Sequence, residues 1–330
     1  MQAVVLVGGF GTRLRPLTNV VPKSMLPIAH VPLIARLIRR LERGGVDRAT
    51  LALGFLPEPF VEAFPDGRCG GVRLDYAIEP EPLDTAGAIR FAADHSGIDD
   101  MFVVANGDVL TDLSVAALVA AHREAGAEAT LHLIGVHDPS SFGVVERDAD
   151  GRVVRFVEKP APGTEPSNLI NAGTYVFEPE VLARIPAGKP VSVERDTFPQ
   201  VAAGGRLHAL VTNDYWIDAG RPDTYLQANL DLVTGARPEK APAIAPGASV
   251  AASATILDAV IGDGAAVGDG ATVCRSVLLP GADVGARAFV EDSIVAGVIG
   301  QEARLSRTVV GADAKIADRE QLRDARVPSD

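Results

Sequence analysis

Cysteine is nearly absent from this chain: two among 330 residues, Cys69 and Cys274, far apart in sequence. That count leaves room for at most a single long-range disulfide, and two reduced, buried thiols are the expected state. Long apolar runs are missing as well. Nothing approaches the ~20 consecutive apolar residues needed to cross a bilayer. The apolar run 3–7 is too short for a signal-peptide core and has no basic residue before it, so a cytoplasmic location is the expectation. Basic excess is also lacking, with a net charge of -12. That argues against a general nucleic-acid binder, which needs a broad basic surface. It leaves room for a small polyanionic substrate held by a local cluster of Arg and Lys.

What remains is ordinary globular material. Apolar residues make up 47% and charged ones 22%, enough for one large domain plus a small one. In the first two thirds, strand-like and helix-like stretches alternate. The β-branched run 3–7 stops at Gly8-Gly9 and reads as a buried parallel strand. Over 31–41, Leu33, Ile34, Leu37, Ile38 and Leu41 recur at helical spacing, Gly44-Gly45 closes the helix, and Arg36, Arg39 and Arg40 form a solvated face. Strands are expected at 50–53, 72–78 and 101–105, helices at 85–93 and 114–125. The rhythm implies an α/β fold with a Rossmann-like mixed, mainly parallel sheet flanked by helices. Ligands in such sheets sit beyond the carboxyl ends of the strands, where Gly8 and Asp108 both fall.

The texture changes near residue 233. A linker at 235–243 is rich in Ala, Pro and Gly. Branched apolar residues then recur, mostly at six-residue gaps: Ile244, Val250, Ile256, Ile261, Val267, Val273, Val284, Val290 and Val295. This period suits a left-handed parallel β-helix of hexapeptide repeats over 244–330. The eleven-residue step from Val273 to Val284 reads as an irregular turn, and 314–330 as a polar surface tail or short helix. The preceding 1–234 form the first domain.

The strongest chemical signal is Gly8-Gly9-Phe10-Gly11-Thr12-Arg13-Leu14-Arg15-Pro16-Leu17-Thr18, followed by Pro22-Lys23. Glycines let backbone N–H groups approach an anion closely and form a phosphate nest. Arg13 supplies a planar fork and Lys23 a movable point charge. A dinucleotide fingerprint fails because Leu14 stands where glycine is needed. A P-loop fails for want of Gly-Lys-Ser/Thr.

These residues resemble the signature of the sugar-1-phosphate nucleotidyltransferases, the NDP-sugar pyrophosphorylases. The resemblance continues in order through Asn106-Gly107-Asp108, Phe142-Gly143-Val144-Val145, Phe156-Val157-Glu158-Lys159-Pro160, Asn171-Ala172-Gly173 and Trp216-Ile217-Asp218-Ala219-Gly220. It covers about residues 2–232, and a hexapeptide tail is a common appendage in that family. One such tripeptide is weak; six in register are strong.

The resemblance implies transfer of a nucleotidyl group from a nucleoside triphosphate to a sugar 1-phosphate. That nucleophile is already ionised near neutral pH, its second pKa being about 6. It needs charge neutralisation and in-line placement rather than a base. Mg2+ meets part of that need, with Asp108 and Asp218 as its ligands. Read alone, either aspartate is a cap or turn residue; the ordered motif set reverses that. By the same resemblance Arg13 holds the β- and γ-phosphates, and Lys23 bridges toward the α-phosphate. Lys159 binds the sugar phosphate, Glu158 accepts from sugar hydroxyls, and Asn171 with the backbone at Gly143 completes the sugar pocket. The nucleotide site implied comprises Leu6, Gly8, Gly9, Gly11, Thr12, Arg13, Glu79, Pro82, Thr85, Ala86 and Gly87.

The stretch 79–87 lies where the family reads the base. Thymidylyl- and uridylyl-transferring relatives usually have Gln where Glu79 stands. A carboxylate only accepts, which matches the adjacent N–H groups of guanine. Pro82-Leu83 with Thr85-Ala86-Gly87, and Ser192-Val193-Glu194-Arg195 with Phe198-Pro199, resemble the mannose-1-phosphate guanylyltransferases, so GTP with mannose 1-phosphate is the leading pair. Two departures stand out: Asp84 where glycine is usual, and Ser24 where Pro is usual. Transfer of thymidylyl or uridylyl groups to glucose 1-phosphate remains the alternative, as does a non-catalytic regulatory subunit. The latter is expected to have lost one of Arg13, Lys23, Asp108 or Asp218, and all four are present. An acyltransferase β-helix would want a histidine base, yet all six histidines (30, 95, 122, 132, 137 and 208) precede it. They show no metal-ligand spacing. The β-helix is instead expected to join copies into a homo-oligomer.

Overall fold

A computed structural model describes residues 1–54 and 57–328. Packing divides the chain into two compact units, Met1–Gly9 with Ile34–Trp216, and Phe10–Leu33 with Ile217–Asp330.

The first unit is built on one ten-stranded mixed sheet. Its strands are β1 (Gln2–Leu6), β2 (Arg48–Leu53), β3 (Arg68–Cys69), β4 (Val72–Ile78), β5 (Phe102–Asn106), β6 (Ala129–Gly135), β7 (Gly143–Arg147), β8 (Val153–Glu158), β9 (Leu169–Phe177) and β10 (Leu207–Thr212). The order is β8-β7-β9-β5-β1-β2-β4-β3, with β6 pairing both β9 and β10. β5, β1, β2 and β4 are parallel neighbours, and they are the short β-branched runs anticipated from sequence. β1, β2 and β5 are buried on both faces and have no polar alternation, whereas β4 alternates buried Val72 and Leu74 with exposed Arg73. β9 pairs antiparallel with β5, β7 and β6, and β7 with β8, whereas β10 joins β6 in parallel.

Helices α1 (Leu33–Arg43), α2 (Asp84–Ser96) and α3 (Val115–Ala125) cover this sheet. α1 buries the stripe Leu33, Ile34, Leu37, Ile38 and Leu41. Its opposite face is not wholly solvated as expected. Arg39 is exposed, but Arg36 and Arg40 are half-buried, and Arg40 donates to the carbonyl of Thr111. A long side chain can bury its stem while its head meets an orphan carbonyl. α3 begins where Ser114 Oγ accepts the Ala117 N–H at 3.2 Å, and ends at Gly126 in the left-handed region. α2 packs Ala86, Ile89, Ala92 and Ala93 into a core with Tyr175, Phe177 and Phe198. The Tyr175 and Phe198 rings meet edge-on at 5.1 Å.

In the second unit, α4 (Pro222–Thr234) ends at Gly235, φ 84°. Three parallel five-stranded sheets follow, the architecture of a left-handed β-helix. One sheet runs through Ser249–Val250, Ala266–Val267, Asp283–Val284, Val298–Ile299 and Lys315–Ile316. The other two end in Gln321–Arg323 and Arg326–Val327. Two sequence readings are corrected here. The step from Val273 to Val284 is no irregular turn, because fully buried Leu278 supplies the missing inward residue. Nor do 314–328 form a tail: Ile316, Leu322 and Val327 continue the hexapeptide spacing and form a fifth coil. The polar residues that disguised it point outward. Ser329 and Asp330 lie outside the described residues.

At one corner, Asp258, Arg275, Asp292, Arg307 and Asp324 stack coil upon coil, each with φ between 42° and 52°. Arg275 donates to Asp292 at 2.8 and 2.9 Å, and Arg307 to Asp324 at 2.6 and 2.7 Å. A second corner carries Arg287, Glu302 and Arg319, with Glu302 accepting from both arginines. Both cysteines are free thiols, but only Cys69 is buried as expected, Cys274 being half-buried on the β-helix; no described helix is long and apolar enough to cross a membrane.

Candidate active site

In the first unit the carboxyl ends of the four parallel strands are level. Leu6 of β1 pairs with Ala52 of β2 and Asn106 of β5, and Ala52 pairs with Ala77 of β4. The loops bearing Gly8, Glu79 and Asp108 therefore leave one edge together. Gly8 is pressed between neighbours: a Cβ there would stand 3.1 Å from the Gly54 nitrogen and 3.2 Å from Glu79 Oε1. Gly107 is more constrained, since its Cβ would meet Val7 at 2.4 Å and the Leu6 carbonyl at 2.8 Å. Its N–H donates to Leu6 at 2.9 Å. The glycine of Asn106-Gly107-Asp108 thus lets Asp108 leave β5 close against the exit of β1.

Glu79 is half-buried at the end of β4, where its Oε2 accepts the Leu83 N–H at 3.0 Å. Burial pushes this carboxyl above its ordinary range, and the Leu83 bond opposes the shift. Asp84 occupies the left-handed region, φ 57°, which explains why glycine is usual there. It is held by Arg195 at 3.0 Å and accepts the Thr85 N–H at 2.7 Å. Thr85 Oγ1 donates to Glu194 at 2.8 Å and accepts the Val193 N–H at 2.8 Å. Ala86 and Gly87 direct their N–H groups to the Val191 carbonyl, at 2.8 and 3.2 Å. They brace the start of α2 against the 189–195 segment, while Pro82 lies exposed beside Glu79.

The residues expected on the sugar side also gather in this unit. Gly143 pairs with Glu158 across β7 and β8, and a Cβ at Gly143 would meet Phe156 at 2.5 Å and Glu158 Oε2 at 3.0 Å. Lys159 follows in the left-handed region, φ 46°, with its ammonium 2.9 Å from Glu158. Asn171 donates to Tyr175 Oη at 2.9 Å and accepts the Gly173 N–H at 3.1 Å, which fixes its amide. Trp216 donates to the Ala172 carbonyl at 2.9 Å and meets Phe142 edge-on at 5.6 Å. The Tyr175 hydroxyl is pushed far up, first by burial and then by Glu194, Glu158 and Asp108. The negative charges of three carboxylates thus add to burial in opposing ionisation of this phenol.

The second unit holds the rest of the glycine-rich loop. Gly11 is left-handed, φ 60°, and its carbonyl accepts from Thr18 Oγ1 at 2.8 Å and Leu14 N–H at 2.9 Å. A Cβ there would press on Thr18 and, at 3.2 Å, on the stem of Lys23. The loop thus folds Lys23 back toward its own start. Leu14 is buried while Thr12, Arg13 and Arg15 are exposed. Ser24, where Pro is usual, is buried in the short turn Lys23–Met25. Arg13 Nη2 lies 4.0 Å from Asp218 Oδ2, and Asp218 Oδ1 accepts the Gly220 N–H at 2.7 Å. The loop's return is tied to α4: Tyr225 donates to Pro27, and Asn229 accepts the Ala29 N–H at 2.8 Å.

Comparison with known proteins matches this arrangement to a family. The model described as nucleotidyl transferase covers residues 2–235, and one described as the GMPPB C-terminal domain covers 239–329. The chain belongs to the nucleotidyl transferase family. It is similar to the mannose-1-phosphate guanylyltransferase of Mycobacterium tuberculosis, 42% identical over 73% of this chain and 67% of that one. Mannose-1-phosphate guanylyltransferase 1 of Arabidopsis thaliana is 35% identical over 96% of this chain and 93% of its own. Among solved structures, HddC from Yersinia pseudotuberculosis is 31% identical with a TM-score of 0.60, over 69% of this chain and 97% of that one.

Nucleotidyltransferases of this family generally use a divalent metal. Among the described residues no group of three His, Cys, Asp or Glu could hold an ion. The carboxylates of Asp108 and Asp218 are hard oxygen donors of the kind that bind Mg2+ in ones and twos beside substrate phosphates. Sequence reading missed Tyr175 and the bracing roles of Thr85 and Glu194. Only packing reveals those: a Tyr in an apolar strand carries no local signal, and Ser192-Val193-Glu194-Arg195 marked a resemblance without disclosing that Glu194 accepts from Thr85.

Proposed function

We propose that this nucleotidyl transferase joins GTP to mannose 1-phosphate, giving GDP-mannose and pyrophosphate. The carboxylate of Glu79, set against Gly8 at the edge where the base is read, carries the choice of guanine. It accepts and cannot donate, as neighbouring guanine N–H groups require. The names of the relatives support the same pair, and HddC has been crystallised with GMP-PN.

In this reading a sugar-phosphate oxygen attacks the α-phosphorus in line. The bond from that phosphorus to its bridging oxygen breaks, and pyrophosphate leaves with the electron pair. Arg13 with Thr12 and the glycines at 8, 9 and 11 holds the β- and γ-phosphates, and Lys23 neutralises charge at the α-phosphate. Leu6, Pro82, Thr85, Ala86 and Gly87 shape the nucleoside site. Lys159 binds the sugar phosphate, while Glu158, Asn171 and the Gly143 backbone meet sugar hydroxyls. Asp108 and Asp218 would hold Mg2+, which supplies positive charge to the phosphates. Residues 1–234 then form the catalytic domain, 235–243 a linker and 244–330 the β-helix, through which copies assemble in the cytoplasm.

The test is pyrophosphate release across the common nucleoside triphosphates and several sugar 1-phosphates with Mg2+. GTP with mannose 1-phosphate is expected to dominate. Silence across the matrix would overturn the activity, and turnover only with dTTP or UTP would overturn the guanine assignment.

A further inference from the structure

The last coil of the β-helix touches the glycine-rich loop. Arg326 Nη1 donates to the Arg13 carbonyl at 2.9 Å and to the Arg15 carbonyl at 3.3 Å. Those two carbonyls straddle Leu14, whose side chain is fully buried. The loop is therefore held inward by an apolar anchor and outward by a charged donor. Charge-assisted bonds of this kind are stronger than neutral ones. Further along, the same segment is tied by Tyr225 to Pro27, by Asn229 to Ala29, and by His30 to the Pro242 carbonyl at 2.9 Å. Arg326 thus reaches from the β-helix to the backbone of the two exposed arginines, Arg13 and Arg15.

We infer that Arg326 is a positioning residue of the nucleotide site: it fixes the backbone from which Arg13 projects toward Asp218. It touches no reacting atom. Its effect passes through Arg13, so the inference rests on the phosphate role proposed for that side chain. The β-helix thereby becomes part of the nucleotide-binding apparatus, and its fifth coil the part that acts. Fixing the backbone lowers the freedom Arg13 loses on gripping a triphosphate, the physical content of preorganisation. Arg326 also lines a cavity of about 380 Å3 with Asp223, Leu226, Asp292 and Arg307. Truncating Arg326 enlarges that cavity, giving a free guanidinium ion room to replace the lost group.

The test uses the full chain carrying Arg326→Ala, with Arg323→Ala on the same coil as control. The expected result is a rise of about tenfold in KM for GTP, the scale of one lost charged hydrogen-bonding group. KM for mannose 1-phosphate should stay within about twofold, since Arg13 has no part in holding it. Guanidinium ion at low millimolar concentration should restore most of the loss. A second readout needs no activity: tryptic cleavage of the Arg13–Leu14 bond, followed by mass spectrometry, should quicken about tenfold in Arg326→Ala, because cleavage follows the population of the open loop. Arg323→Ala should change neither. Unchanged KM for GTP with unchanged cleavage overturns the inference. So does a fall in kcat alone with a lower Tm, which marks a purely structural role. If the wild-type chain transfers no nucleotide at all, the proposed function fails, and the proteolysis still decides whether Arg326 holds the loop.

Discussion

The Arg13 guanidinium stands 4.0 Å from a carboxylate oxygen of Asp218, and both side chains keep contact with water, 59% and 26% exposed. An ion pair this open contributes at most about 1 kcal/mol to stability. Asp218→Asn retains an acceptor for the Gly220 N–H but discards the charge. Turnover should fall at least about 100-fold while Tm moves by no more than about 3 °C. Pyrophosphate release measured beside a thermal melt separates the two effects. Near-normal turnover would remove Asp218 from the site.

In the proposed reading, base choice turns on Glu79. Glu79→Gln should reduce the preference for GTP over UTP by roughly 10- to 100-fold, the cost of two mismatched hydrogen bonds. Because burial raises its pKa, the carboxylate is lost on acidification sooner than an ordinary one. Wild-type kcat/KM for GTP should decline as pH falls through that raised value, and the Gln variant should lack this limb. For stability the sign is opposite: the native state holds this proton more tightly, so stability falls as pH rises through the same window. A pH profile identical in both proteins would dissociate Glu79 from the base.

Asp84 pays a left-handed penalty that its partners offset. A non-glycine residue there costs about 1–2 kcal/mol. Its pair with Arg195 is largely exposed and returns less than about 1 kcal/mol. Asp84→Gly should therefore leave stability within about 1 kcal/mol of wild type, whereas Asp84→Ala, which keeps the strain and loses both bonds, should lower it by about 1–2 kcal/mol. Urea denaturation would settle the order. Equal losses in both variants would mean that the side-chain bonds, not the backbone, decide.

His132 gives a pH signature away from the site. It is fully buried, its Nε2 lies 2.9 Å from Thr212 Oγ1, and burial followed by the Arg40 charge lowers its pKa to about 4. The native state thus binds less proton than the unfolded chain between about pH 6.5 and 4. Stability is full above that window and declines through it on acidification, by as much as about 3 kcal/mol. His132→Gln should flatten that slope in denaturant titrations at pH 4 to 7. An unchanged slope would shift the cause to His122, whose pKa is also lowered by burial against the opposing pull of Glu178.

Much of this was legible in residue patterns. Ala3, Val4 and Val5 announce a buried parallel strand because no polar face is present, and Gly8 and Gly107 mark places where backbones touch. Candidate site residues were legible as types in ordered motifs, since phosphate chemistry restricts them to Gly, Arg, Lys and Asp. What stayed hidden depends on distance. The fifth coil was masked by outward charges, although Ile316, Leu322 and Val327 keep the period. Arg326 gave no signal at all, being more than three hundred residues from the loop it holds.

The stacked corner of the β-helix carries its own arithmetic. Asp258, Arg275, Asp292, Arg307 and Asp324 alternate in sign, and Arg287, Glu302 and Arg319 do so on a second edge. Excising the coil that bears Asp292 would set Arg275 on Arg307, with like charges directly opposed. Removing two coils would keep every pair attractive. The column therefore has a parity: an even number of adjacent internal turns can be lost at little electrostatic cost, and an odd number only with compensating substitutions.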